Sequence, residues 1–168
     1  MRIAIGPSSF ADVDSAPLEL LHAKGLEVVS NPYGRKLTEH EIIEHLQNVD
    51  GLLAGLEPLN KTVFQKCPQL KVIARVGIGM DNVDMVAAKV ARIKVSNTPE
   101  GPTEAVAEMT LAAALALSRS ILHANNELHQ KRWSKSIGIG LNNTRVLIIG
   151  YGRIGRRVSE LFSAMGAL

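Results

Sequence analysis

Arg145-Val-Leu-Ile-Ile-Gly150-Tyr-Gly152-Arg-Ile-Gly155 reads as a buried strand, a Gly-x-Gly-x-x-Gly turn and the first turn of a helix. A dinucleotide-binding half-fold opens in that order. Gly150 permits the tight turn, Gly152 lets the backbone approach a pyrophosphate, and Gly155 lets helix and strand pack closely. The amides near Arg153 and Ile154 then point at the phosphate from the helix N-terminus. The motif alone is a weak signal, and its alternative is a glycine-rich structural turn. Here an apolar strand precedes it, and a helical pattern continues through Ile154, Val158, Leu161, Phe162 and Met165. The acidic residue that reads the ribose is expected about 20 residues further on, past Leu168, so the motif does not divide NAD from NADP. One strand and one helix cannot bury a core. The stretch therefore implies a complete first domain and the opening of a second, and the chain is expected to be the front portion of a longer protein.

Upstream, short apolar runs alternate with helical patterns. Strands are expected at Ile3–Ile5, Glu27–Ser30, Gly51–Ala54, Lys71–Arg75 and Ile93–Ser96. Helices are expected at Ala16–Lys24, from Thr38 to about Asn48, at Asn60–Lys66 and at Val83–Val90. Thr38 with Glu41 three residues on is a capping box. Strands separated by crossover helices imply a parallel sheet covered on both faces. A flavodoxin-like doubly wound α/β domain is the natural closure, followed by the first strand and helix of a Rossmann domain.

Asn97-Thr-Pro-Glu-Gly-Pro102 breaks the alternation and marks a boundary. Thr103 is placed to cap the next helix. From Glu104 to Ile121 the pattern is a helix apolar nearly all round, which needs cover on every side and is expected between domains or subunits. A more polar helix comes next over His123–Arg132, with Trp133 as its anchor, and Ser136–Asn143 is a loop into the fingerprint.

Composition narrows the classes. The 168 residues are 46% hydrophobic, enough for a packed core. The net charge of +3 is small, with Lys and Arg scattered among Asp and Glu, so nucleic acid is not an expected partner. Arg153, Arg156 and Arg157 form either a solvated helix face or help in holding a phosphate. The one cysteine, Cys67, leaves no internal disulfide and no CxxC metal motif, and is expected as a small buried thiol. The chain starts on a strand with no signal peptide, and Ala105–Leu117 contains Glu108 and is too short for a membrane span. A soluble, reducing, cytoplasmic setting is the expectation.

A second constellation, Arg75-Val-Gly-Ile-Gly-Met-Asp-Asn-Val-Asp84, lies after the fourth strand. Ligands of open α/β sheets bind at the carboxyl ends of strands, and two glycines there can expose amides as an anion nest. The Val76 and Gly77 amides are the candidates for a substrate carboxylate, with Arg75 as a candidate anion-binding or structural residue. Asp81, Asn82 and Asp84 are read as fixing the turn and capping the next helix.

The Arg75–Asp84 segment, Asn97-Thr-Pro with Ala105-Val-Ala-Glu108, and the Val146–Gly155 fingerprint resemble, in order and spacing, the D-isomer-specific 2-hydroxyacid dehydrogenases, most closely the phosphoglycerate branch. The resemblance implies a substrate domain over residues 1–98 and an incomplete NAD-binding domain over 99–168. It implies a small 2-hydroxy or 2-oxo acid as substrate and NAD as cofactor, NADP not being excluded. The cofactor residues would be Ile78, Thr103, Gly150, Gly152, Arg153, Ile154 and Gly155, and the apolar helix would contribute to a homodimer. Two positions depart from the branch. Ile78 stands where a hydroxyl residue can occur, and Gly55 and Leu56 stand where an arginine can hold a substrate phosphate. The family's histidine, carboxylate and arginine would fall after Leu168, so no catalytic residue is expected in this chain. His22, His40, His45, His123 and His129 are read as helix-face residues. A non-catalytic carboxylate-binding or interaction module is the alternative. A different Rossmann enzyme, such as an adenosylhomocysteine hydrolase relative, has no place for the Arg75–Asp84 motif.

Overall fold

Aliphatic runs buried on both faces pair in parallel to make the sheet of the first unit, in a computed structural model that describes residues 1–168. The chain divides into two units, Met1–Pro99 and Glu100–Leu168. In the first, β1 (Arg2–Ile5), β2 (Glu27–Val29), β3 (Gly51–Ala54), β4 (Val72–Arg75) and β5 (Lys94–Asn97) lie in the order β2-β1-β3-β4-β5. This is the flavodoxin-like order. Central strands contribute Ala4, Leu52 and Ile73 to the core, and the crossover helices contribute Leu46, Val63 and Phe64, all buried. Edge strands β2 and β5 are more exposed and carry charge at Glu27 and Lys94, which discourages further pairing.

The crossover helices are α1 (Ala16–Ala23), α2 (Glu39–His45), α3 (Lys61–Lys66) and α4 (Met85–Val90). The capping box is present: the Thr38 hydroxyl accepts from the Glu41 N–H, and the Glu41 carboxylate accepts from the Thr38 N–H at 2.9 Å. Asn60 caps α3 and Asp84 caps α4 through the Val63 and Ala87 amides. Cys67 is buried and free, and burial pushes its thiol pKa up, away from reactivity.

The second unit holds α5 (Thr103–Ser118), α6 (Ile121–His129) and α7 (Arg153–Ala164). Its small core joins Ala107 of α5, Leu141, and Val158 and Phe162 of α7. Four expectations are corrected here. The apolar helix stops at Ser118 rather than Ile121, because Ser120 adopts left-handed φ of +53°, and α6 departs at a 62° bend. Thr103 is not the cap: Pro102 holds that position, and the Thr103 hydroxyl oxygen is buried without a partner. Trp133 anchors nothing and is 87% exposed. Finally, Arg145–Ile149 is not a strand. Three ladder-like bonds form at its start, Asn143 N–H to Gly166 O and Leu168 N–H to Thr144 O, both at 2.8 Å, and Val146 N–H to Leu168 O at 2.9 Å, and none continues past Val146. A strand exists only through its neighbour, and Leu147 and Ile149 are left exposed. No single helix is long and apolar enough to cross a membrane.

Candidate functional site

The carboxyl edge of the sheet gathers the residues of interest in the first unit. Ala54, Arg75 and Asn97 share one register row across β3, β4 and β5. Just past it, the chain turns at Gly77, whose φ of +142° lies where side-chain-bearing residues are strained.

The two amides expected to form the nest are engaged by the protein. The Val76 N–H donates to Ala54 O at 2.9 Å, extending the ladder by one residue. The Gly77 N–H donates to the Thr98 hydroxyl at 2.7 Å and to Arg75 O at 3.0 Å. The next two amides, of Ile78 and Gly79, donate to no protein acceptor. Their carbonyl neighbours are held: Thr98 N–H donates to Gly77 O at 3.0 Å, and Asn97 Nδ2 donates to Ile78 O at 2.9 Å.

Arg75 is only 8% exposed. Its guanidinium folds back, Nη1 donating to Val76 O, while its buried Nε has no partner. It forms no ion pair, so a buried cation stands at the strand end without a counter-charge.

Sequence reasoning missed Glu57. It is 1% exposed, and its Oε1 accepts the Gly55 N–H at 2.8 Å. Its carboxylate fills the space in which Gly6 and Gly55 lack side chains, and a Cβ on either would overlap it. Asn82 Nδ2 donates to Glu57 O at 2.7 Å and to Gly55 O at 3.3 Å, tying this loop to the turn after β4. The pairing of two glycines with a distant glutamate carries no local pattern in the sequence. An open groove beside it is lined by Leu56, Lys36, Asp81 and Asp84, one cation against two carboxylates.

In the second unit, α7 begins at Gly152 with no side-chain cap, so the first-turn amides, including Arg153 and Ile154, face outward as donors. Gly150 has φ of +95°, and a Cβ on Gly155 would overlap the Gly150 carbonyl. A Cβ on Gly152 would meet nothing, leaving open space over the helix start. Anions are favoured at such a terminus by the free amides and the helix dipole. Arg157 is paired with Glu104 and Glu160, both at 2.8 Å, and these carboxylates raise its pKa. Arg153 lies 3.9 Å from Glu100, and Arg156 joins them around an open cavity beside Thr103.

A profile described as the D-isomer specific 2-hydroxyacid dehydrogenase catalytic domain matches residues 9–162. The chain belongs to this family. Among the dehydrogenases it resembles, the D-3-phosphoglycerate dehydrogenase of Sus scrofa is 34% identical over 157 residues, covering 92% of this chain and 29% of that protein. The structure of the TT0316 protein from Thermus thermophilus matches with a TM-score of 0.86 at 28% identity, over 99% of this chain and 54% of that one. An NAD+-bound 3-phosphoglycerate dehydrogenase of Entamoeba histolytica matches with a TM-score of 0.80 at 25% identity, covering 99% and 52%. The chain thus spans less than a third of the curated relative and about half of the two matched structures.

Proposed function

We propose that this chain supplies the substrate-binding domain and the opening of the cofactor domain of an NAD-dependent 2-hydroxyacid dehydrogenase. The observation that carries the reading is the pair of free amides, Ile78 and Gly79, at the carboxyl edge of the sheet in a chain of this family. A substrate carboxylate accepts from both. Arg75 lies at the strand end just before them and carries no ion pair, which leaves a positive charge near the turn.

The substrate is a small unphosphorylated 2-hydroxy or 2-oxo acid. Gly55 and Leu56 offer no cation, and the groove beside Glu57 holds two carboxylates against Lys36. A phosphate dianion is repelled by this surrounding, whereas a neutral side chain is not.

The dinucleotide pyrophosphate is held by the amides of Arg153 and Ile154 over the open space at Gly152, with Gly150 and Gly155 shaping the turn. When bound, the nicotinamide supplies the hydride acceptor or donor. The chain by itself is expected to transfer no hydride, and His45, near the sheet, is held by a hydrogen bond with Ile5 O. The exposed Met109 and Leu117 of α5 support a homodimer through that helix.

Titration of the isotope-labelled chain with glyoxylate tests the reading. The Ile78 and Gly79 amide resonances shift saturably, 3-phosphoglycerate binds more weakly, and NADH is not oxidised. Shifts confined to other residues, or steady NADH oxidation, overturn it.

A further inference from the structure

We propose that Asn97 and Thr98 are positioning residues that aim the Ile78 and Gly79 amides at the substrate carboxylate. The inference rests on the carboxylate reading above and adds how the nest is held open.

Peptide planarity couples each carbonyl to the next amide. In a trans peptide the carbonyl of one residue and the N–H of the next point in opposite directions within a rigid plane. Fixing Gly77 O therefore fixes the Ile78 N–H, and fixing Ile78 O fixes the Gly79 N–H. Both carbonyls are fixed from one side by two consecutive residues. Thr98 N–H donates to Gly77 O at 3.0 Å, and Asn97 Nδ2 donates to Ile78 O at 2.9 Å. The two amides consequently face away from Asn97 and Thr98, toward the side on which no protein acceptor meets them.

A third contact sets where the pair begins. The Thr98 hydroxyl accepts the Gly77 N–H at 2.7 Å and donates to Arg75 O at 3.5 Å. Gly77, at φ of +142°, is the point where the ladder ends and the chain reverses its donors. Without the hydroxyl, its N–H keeps only the local contact to Arg75 O, and the following peptide plane gains freedom to rotate. Asn97 is the last residue of β5, and its backbone is paired in register with Arg75. Its side chain is thus delivered to the loop by the sheet itself rather than by another loop, which suits a positioning role.

The test uses the isotope-labelled chain, residues 1–168, as wild type, Asn97→Ala, Thr98→Val and Thr98→Ser. Two quantities are read: the glyoxylate Kd from the Ile78 and Gly79 amide shifts, and the order parameters of those amides without ligand. Asn97→Ala and Thr98→Val weaken glyoxylate by about fivefold to tenfold, as the loss of one orienting hydrogen bond implies. Thr98→Ser, which keeps the hydroxyl, stays within about twofold. Without ligand, the Gly79 amide of Asn97→Ala becomes flexible while the amides of β4 stay rigid. Equal glyoxylate affinity in all four proteins overturns the positioning role while leaving the carboxylate reading intact. If wild type itself shows no shift at Ile78 and Gly79, the carboxylate reading fails. Unchanged order parameters in Asn97→Ala show that the pair does not hold the loop, whatever the binding result.

Discussion

Two glycines and one glutamate illustrate how a single residue here depends on another far away in sequence. The Glu57 carboxylate lies where side chains of Gly6 and Gly55 would be. Gly6→Ala forces it out of a buried position and is expected to cost about 1–3 kcal/mol, the usual range for overpacking. The cost falls to well under half in a Glu57→Ala background, because the obstacle is gone. Urea unfolding of the four proteins of this cycle gives the comparison, and an equal cost in both backgrounds would falsify the cradle. Sequence reading reached Arg75 and Gly77 because glycines after an apolar strand advertise a turn. It passed over Glu57, Asn97 and Thr98 because their meaning lies in partners brought together by the sheet. It put the nest on the Val76 and Gly77 amides, which in the structure donate to Ala54 O and to the Thr98 hydroxyl.

At the scale of elements, local chemistry was readable wherever a helix carries its own signal. Thr38 and Glu41 announced the start of α2, and the structure shows both reciprocal bonds. Glu41 also receives Arg35 through two nitrogens, at 2.6 and 2.9 Å. Arg35 first, and then the Thr38 N–H, lower the Glu41 pKa from its ordinary 4.5 to about 2. A carboxylate depressed in the folded state stabilises it fully above the unfolded value, and that contribution disappears as pH falls through the folded value. Glu41→Gln should therefore lower the melting temperature at pH 7 and at pH 5.5, with a deficit that shrinks between pH 4.5 and about 2. A deficit independent of pH would remove the ion pair as its cause. The misread elements lacked any such signal. Ser120 is an ordinary residue in a left-handed conformation that nothing in its neighbourhood announces. The Arg145–Ile149 run has the composition of a strand, but strand formation requires a neighbour, and the contacts to Gly166 and Leu168 reach no further than Val146.

Across the whole molecule, the alternation of runs and helices was enough to give the parallel sheet and its flavodoxin-like order, since crossover connections leave few alternatives. The second unit is different. Its buried apolar set is small, and α5 presents Met109 at 69% and Leu117 at 77% exposure. Such a surface favours association. Sedimentation of the chain should show a concentration-dependent dimer that Met109→Asp with Leu117→Asp returns to monomer. A wild-type monomer at high concentration would argue that α5 is covered in another way. The glycine cradle has a different kind of consequence for the chain. Position 6 can accept a side chain only after residue 57 has become small, whereas residue 57 can shrink first, at the cost of the acceptor for the Gly55 N–H. Relatives descended from a common ancestor would then have changed these sites in one order and not the reverse, so the fold keeps a direction in its history that a comparison of ancestral sequences could recover.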